Sequence, residues 1–208
     1  MTTTRTVLIP SARVVRWFDN FAGRHGPASY DVRGGALHVA AADEATAVAA
    51  LPFARPYAGA ADPAALADAV VVPARWGVLL VRKGGFAVAR LAGERTVESK
   101  VGQRHVQGRT KAGGQSQQRF ARRRDNQARQ AYEAAADHAA RILTGSLAAL
   151  VCGGDRSAVD AVLSDPRLAS FTQGRVEPWL AVPDPRRAVL DQAVADACAV
   201  AITVTDPG

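Results

Sequence analysis

Trp76-Gly-Val-Leu-Leu-Val-Arg82, Lys83-Gly-Gly85 and Phe86-Ala-Val-Ala-Arg-Leu-Ala92 form the stretch that sets the fold class. Two Val- and Leu-rich runs flank a Lys-Gly-Gly turn, which predicts a β-hairpin over 76–92. Arg95–Val101 continues it as a third strand. From Gly102 to Gln115 the apolar pattern stops: Gly102, Gly108, Gly113 and Gly114 are separated by polar and basic residues, the composition of a surface loop. Ser116 is the expected cap of a helix running to Leu143. Phe120, Arg124, Ala128, Ala131, Ala135, Ala139 and Ile142 share one face of it. The alanines let it lie close to a sheet, and its length is roughly 42 Å. Further on, strands at Ala148–Cys152, Pro178–Val182 and Val200–Val204 alternate with helices after Asp155 (to Leu163) and over Pro185–Ala197. This alternation predicts an α/β fold, a mixed β-sheet with packed helices.

Upstream the pattern is less regular. Val7–Pro10 is a short apolar start, and Ser11 can cap a helix to about Arg24 with Val14, Val15, Phe18 and Phe21 on its apolar face. Tyr30–Val32 and Ala36–Ala40 read as a hairpin around Arg33-Gly34-Gly35. Glu44–Leu51 has no decisive pattern. Pro52 to Pro63 has the Pro/Gly/Ala content of a linker, and Ala64–Ala69 fits a helical turn. The expected division is a small α+β region over 1–72, of unassigned role, and one domain over 73–208 with its loop at 102–115 and its long helix at 116–143.

Of the 208 residues, 48% are hydrophobic, which excludes a disordered chain. No apolar run approaches the roughly 20 residues of a membrane span, and the N-terminus lacks a secretory core, so the expected location is cytoplasmic. Cys152 and Cys198 sit in apolar surroundings without histidines at ligand spacing; both are expected to be buried thiols, with no metal and no cofactor. Trp76 and Trp179 are expected in the core.

The charge is unevenly placed. Lys100, Arg104, Arg109, Lys111, Arg119, Arg122, Arg123, Arg124 and Arg129 face a single acid in their window, Asp125. The window therefore carries +8 against +7 for the whole chain, leaving −1 for the remainder. A run so poor in acids lacks the i,i+4 partners of an ordinary solvated helix and fits a phosphate backbone. Arginine outnumbers lysine 23 to 3, favouring bidentate phosphate contacts.

Inside this window lies Arg109-Thr-Lys-Ala-Gly-Gly-Gln-Ser-Gln-Gln-Arg-Phe-Ala-Arg-Arg-Arg124. Adjacent glycines allow close approach of backbone to a ligand. They place Gln115 at a helix start, where a backbone N–H and a neutral amide can bond a water or a developing oxyanion.

The pattern Gly113, Gly114, Gln115, Ser116, Arg119, Phe120, Ala121, Arg122, Arg124 resembles the catalytic central domain of eukaryotic and archaeal peptide-chain release factors. With Ser99–Arg109 before it, it looks still more like the VMS-like release factors, the peptidyl-tRNA hydrolases of ribosome quality control, in an actinobacterial-type branch. The arginine- and alanine-rich composition of a high-GC genome agrees with that branch. The resemblance covers about Ala74 to Thr205 and implies an RNase H-like α/β sandwich. It further implies a ribosome-associated hydrolase that acts at the peptidyl transferase centre of the large subunit. Gln115 would position water against the peptidyl-tRNA ester, with Gly113 and Gly114 shaping the loop. Lys111, Arg119, Arg122, Arg123 and Arg124 would contact rRNA or the tRNA acceptor end. Without a recognisable codon-reading domain, the expected role is rescue of stalled nascent chains, with the protein acting as a monomer.

Two other readings stand beside this one: a nuclease that cuts the tRNA acceptor end, and a non-catalytic ribosome- or RNA-binding module. For the nuclease, no acidic cluster lies near the loop in the sequence to hold Mg²⁺. His105 and His138 are lone histidines without an expected general-base role, and His25 and His38 have none assigned.

Overall fold

The computed structural model describes residues 2–103 and 115–207, with side chains along the long third helix described from Arg129 onward. The chain forms two compact units, residues 1–72 with 194–208, and residues 73–193.

The first unit comprises β1 (Thr3–Ile9), α1 (Val14–His25), β2 (Ala28–Arg33), β3 (Ala36–Ala41), β4 (Thr46–Ala50), α2 (Pro63–Asp68) and the last strand, β10 (Val200–Asp206). Its sheet has the order β1-β10-β4-β3-β2, antiparallel throughout. The C-terminal tail thus departs from the expected domain over 73–208, because β10 pairs with β1 and β4. The reason lies in its alternation: Val200, Ile202 and Val204 point into the core with Val14, Phe18, Phe21, Leu37, Val39, Ala47 and Ala49. Thr203 and Thr205 meet Thr6 and Thr4 across the β1 ladder through paired hydroxyls.

Other expectations shift here as well. The segment 44–51 is mostly strand β4, with Ala47 and Ala49 buried. Ser11–Arg13 forms a 3-10 turn ahead of α1. The supposed linker over 52–63 is packed: Pro52, Phe53 and Tyr57 are buried, and the Tyr57 hydroxyl donates to the Ala60 carbonyl at 2.6 Å. Its two aromatics outweigh its Pro/Gly content, since each carries a large apolar surface to bury. His25, at the end of α1, lies 2.8 Å from Asp43 through Nδ1 and 3.6 Å from Asp206 through Nε2, tying the helix to a turn and to β10.

The second unit comprises β5 (Trp76–Arg82), β6 (Gly85–Ala92), β7 (Arg95–Gln103), α3 (Gln115–Ile142), β8 (Leu150–Gly154), α4 (Arg156–Leu163), α5 (Ala169–Thr172), β9 (Arg175–Leu180) and the start of α6 (Arg187–Ala197). The sheet order is β7-β6-β5-β8-β9, with β5, β6 and β7 antiparallel and β5, β8 and β9 parallel. Three antiparallel strands extended by two parallel ones make the mixed α/β sheet of an RNase H-like unit. β5 is buried from Trp76 to Val81 because it is the central strand with both faces covered. On one face, Leu79, Val81, Val88, Leu150 and Cys152 pack against Ala135, Ala139 and Ile142 of α3 and Ala158, Val159 and Val162 of α4. Trp76 is fully buried, and its indole N–H donates to the Gly93 carbonyl at 2.8 Å.

Three local expectations change. α3 begins at Gln115, so Ser116 is its second residue and not its cap. Strand β9 starts at Arg175 and ends at Leu180, earlier than Pro178–Val182. Asp155 occupies the N-cap of α4 without a side-chain capping bond; its carboxylate lies 3.8 Å from the Arg82 guanidinium.

Close approach of β8 to β9 requires glycine at 153. A Cβ there would lie 2.5 Å from the Leu180 carbonyl oxygen and 2.8 Å from the Leu180 Cβ, where the β8–β9 register is irregular. Backbone cannot yield as a side-chain tip does, so Gly153→Ala is expected to destabilise the protein by about 1–3 kcal/mol. Thermal unfolding followed by circular dichroism checks this; an unchanged midpoint would show that the two strands can separate freely.

Candidate functional site

Two elements flank the segment 104–114 that carries most of the candidate site. β7 runs to Gln103, paired with β6 through Phe86–Gly102 and Gly85–Gln103. α3 starts at Gln115 and is anchored farther along by Ala135, Ala139 and Ile142, all essentially without solvent exposure. These three, with half-buried Ala131, are the described part of the apolar face expected from the spacing. Gly113, Gly114, Arg104, Arg109 and Lys111, with His105, lie outside the described residues.

Gln115 is the first residue of α3. A helix start presents backbone N–H groups without intrahelical partners and the positive end of the helix dipole, and no acid stands in the first turn to offset it. Arg119 and Arg122 follow Gln115 on α3 at the four- and seven-residue intervals of one helix face, with Arg123 beside them and Arg124 farther round. Their side chains lie outside the described residues. Lys100 on β7 and Arg129 on α3 are both exposed. Arginine is thus placed along the first four turns of a helix whose start carries Gln115.

Behind the site, His138 of α3 stacks on Phe86 at 5.5 Å between ring centroids, and its Nδ1 lies 3.0 Å from the Arg141 guanidinium. Burial first, then the positive charges of Arg141 and Lys100, push its pKa down. The ring packed on Phe86 supports the helix against β6. At the carboxyl ends of the parallel strands, Arg82 donates to the Val182 carbonyl at 2.8 Å and lies 3.8 Å from both Asp155 and Asp184. The carboxylates there are opposed by a guanidinium. Among the described residues, no group of three or more His, Cys, Asp or Glu could hold a metal ion.

Two features escaped the sequence. One is a cavity of about 440 Å³ beside β7 and α3, lined by Phe86, Gly102, Gln103, Gln130 and Tyr132 among others. Its residues come from four elements, β5, β6, β7 and α3, so no single stretch signals it. The other is a polar cleft where Arg156 lies 4.3 Å over the Trp179 ring and Arg175 pairs with Asp160. Trp179 is half-buried at that cleft, with its indole N–H donating to the Gly154 carbonyl, and is not a full core residue.

Cys152 lines the floor of the cleft and is buried, whereas Cys198 is only half-buried, short of the expected burial. Burial pushes the Cys152 thiol up to about 12. A thiol with so high a pKa stays protonated at neutral and mildly alkaline pH, and the thiolate is the reacting form. Alkylation of Cys152 by iodoacetamide at pH 8 is therefore expected only upon unfolding. Peptide mass mapping of native and denatured protein checks it, and rapid native labelling would contradict the assignment.

A sheet of this order, bearing a long helix that begins at Gln115, is that of an α/β release-factor-like domain. The sequence profile of the Actinobacteria/chloroflexi VLRF1 release factor family matches residues 74–203, and the chain belongs to that family. The match runs through α6 into β10. No curated protein matches the chain. Membership makes this a release factor of translation, with the ribosome as its place of action. Among the described residues, no helix is long and apolar enough to cross a membrane.

Proposed function

We propose that the protein hydrolyses peptidyl-tRNA on stalled large ribosomal subunits, with Gln115 as the catalytic residue. The observation that carries this reading is Gln115 at the first position of a basic helix, directly after Gly113-Gly114, within a release-factor family match.

In this reading the Gln115 side-chain amide holds a water against the ester carbonyl joining the nascent chain to the tRNA ribose. The water adds to the carbonyl carbon, and the backbone N–H at the helix start stabilises the oxyanion of the tetrahedral intermediate. Collapse breaks the bond to the ribose oxygen, which takes up a proton. The products are a peptide with a free carboxyl and a tRNA with an intact 3′ end. Glycines at 113 and 114 let the loop backbone approach the ester. Lys100, Arg104, Arg109, Lys111, Arg119, Arg122, Arg123, Arg124 and Arg129 grip rRNA and the tRNA acceptor end through phosphates. Holding ester, water and amide together supplies most of the rate, since positioning converts a bimolecular encounter into a unimolecular step.

The test is release of labelled peptide from isolated large subunits carrying peptidyl-tRNA. Added protein is expected to free the peptide with multiple turnovers; no release at saturating protein would defeat the reading.

A further inference from the structure

We propose that the cavity between the β6–β7 ends and α3 binds one unpaired nucleobase of single-stranded RNA. The inference rests on the RNA-contacting role proposed above, but it concerns a site separate from Gln115. Gln130, on the cavity wall, lies fifteen residues along α3 from Gln115, roughly 22 Å away along the helix.

Gly85 and Gly102 both line the cavity, and glycine at 102 lets the Phe86 ring lie close over the β7 backbone, since a Cβ there would run into the ring. One wall is aromatic: Phe86 is held rigid by the His138 stack, and Tyr132 is half-buried against the sheet core. The polar groups at the rim are amides, Gln103 and Gln130, both exposed. An amide offers a donor pair and an acceptor, which suits the hydrogen-bonding edge of a base. Arg82 also lines the cavity, but its bond to the Val182 carbonyl and the nearby Asp155 and Asp184 fix it and offset its charge. Among the described lining residues the charge is therefore near balance.

The cations stand just outside. Lys100 precedes Gly102 and Gln103 on β7, Arg129 precedes Gln130 on α3, and both are exposed. A neutral, aromatic cavity flanked by two cations matches a nucleotide, with its base inside and its phosphates at the rim. At about 440 Å³ it lies within the range of small-ligand sites. An apolar peptide side chain would use the aromatic wall but make no use of Gln103 or of the two cations.

The experiment measures binding of the full chain to a short single-stranded RNA carrying 2-aminopurine, and to the same RNA with that base removed. Intact RNA is expected to bind on the order of tenfold more tightly than the abasic RNA, within what stacking one base contributes, with quenching of the 2-aminopurine. Ala134→Leu and Ala131→Leu fill the cavity from helix positions that accept leucine readily. Each is expected to bring intact RNA down to abasic affinity, whereas Arg122→Glu with Arg124→Glu should weaken both RNAs and keep their ratio. Equal binding of the two RNAs by the wild-type protein overturns this inference and leaves the hydrolase reading standing. Absence of binding to the short RNA also overturns this inference, while peptide release from large subunits decides the hydrolase reading separately. Displacement of 2-aminopurine by an N-acetyl-phenylalanine amide, at concentrations where the RNA stays bound, assigns the cavity to peptide and overturns the inference as well.

Discussion

Gln115→Ala is expected to slow peptide release by about 10²–10³-fold, the loss seen when one oxyanion-site donor is removed. Association with the large subunit should be unchanged. The substitution removes a neutral amide, so the +8 charge of the window from Lys100 to Arg129 stays intact. It also keeps the backbone N–H at the helix start, and alanine is a good helix former, so α3 should begin where it does now. The loss therefore belongs to the side chain that holds the water. Rates at saturating protein separate this from weaker binding, because a residue acting only in the transition state lowers kcat. Full release by the variant would remove Gln115 from the chemistry and leave the loop a binding device.

Reversing Arg122 and Arg124 together to glutamate is expected to act the other way. It changes the net charge by four units on a stretch with one acid nearby, Asp125. Placing like charges against phosphate costs several kcal/mol, so ribosome affinity should fall on the order of 10²–10³-fold. The salt dependence gives a sharper reading. Each lost phosphate contact flattens the slope of log affinity against log salt by about 0.7–0.9, so the double variant should lose roughly 1.5 from that slope. Release at saturating protein should survive, with the defect confined to the concentration needed. Unchanged affinity and slope would mean that the arginines are a solvated helix face.

These two results divide the site as the sequence does. The hairpin over 76–92, the third strand and the long helix were legible because their apolar residues repeat at the period of the element that buries them. A motif of adjacent positions carried the resemblance to release factors, which the family match bears out, while the loop read between 102 and 115 lies mostly outside the described residues. The tail was harder to read. β10 alternates like any strand, and nothing local in Val200–Asp206 says that its partners are β1 and β4, nearly two hundred and about one hundred and fifty residues upstream. The stretch 52–63 misled because its composition is that of a linker, while two aromatics within it, Phe53 and Tyr57, decide its burial. The cavity at Phe86, Gly102 and Tyr132 was invisible for a third reason. Each residue reads as ordinary strand or helix, and only the sheet register brings Gly102 opposite Phe86. His25 reads as a helix terminus until the fold places Asp43 and Asp206 on either side of it.

End-group analysis of the released peptide tests the central claim most directly. Peptide freed from large subunits by the wild-type protein is expected to carry a free α-carboxyl, and the tRNA to keep a 3′ end that can be aminoacylated again. That outcome follows only if water breaks the ester. A peptide still bearing a nucleotide at its C-terminus, with a shortened tRNA, would mean that the protein cuts RNA, and would contradict the assignment of Gln115 to ester hydrolysis.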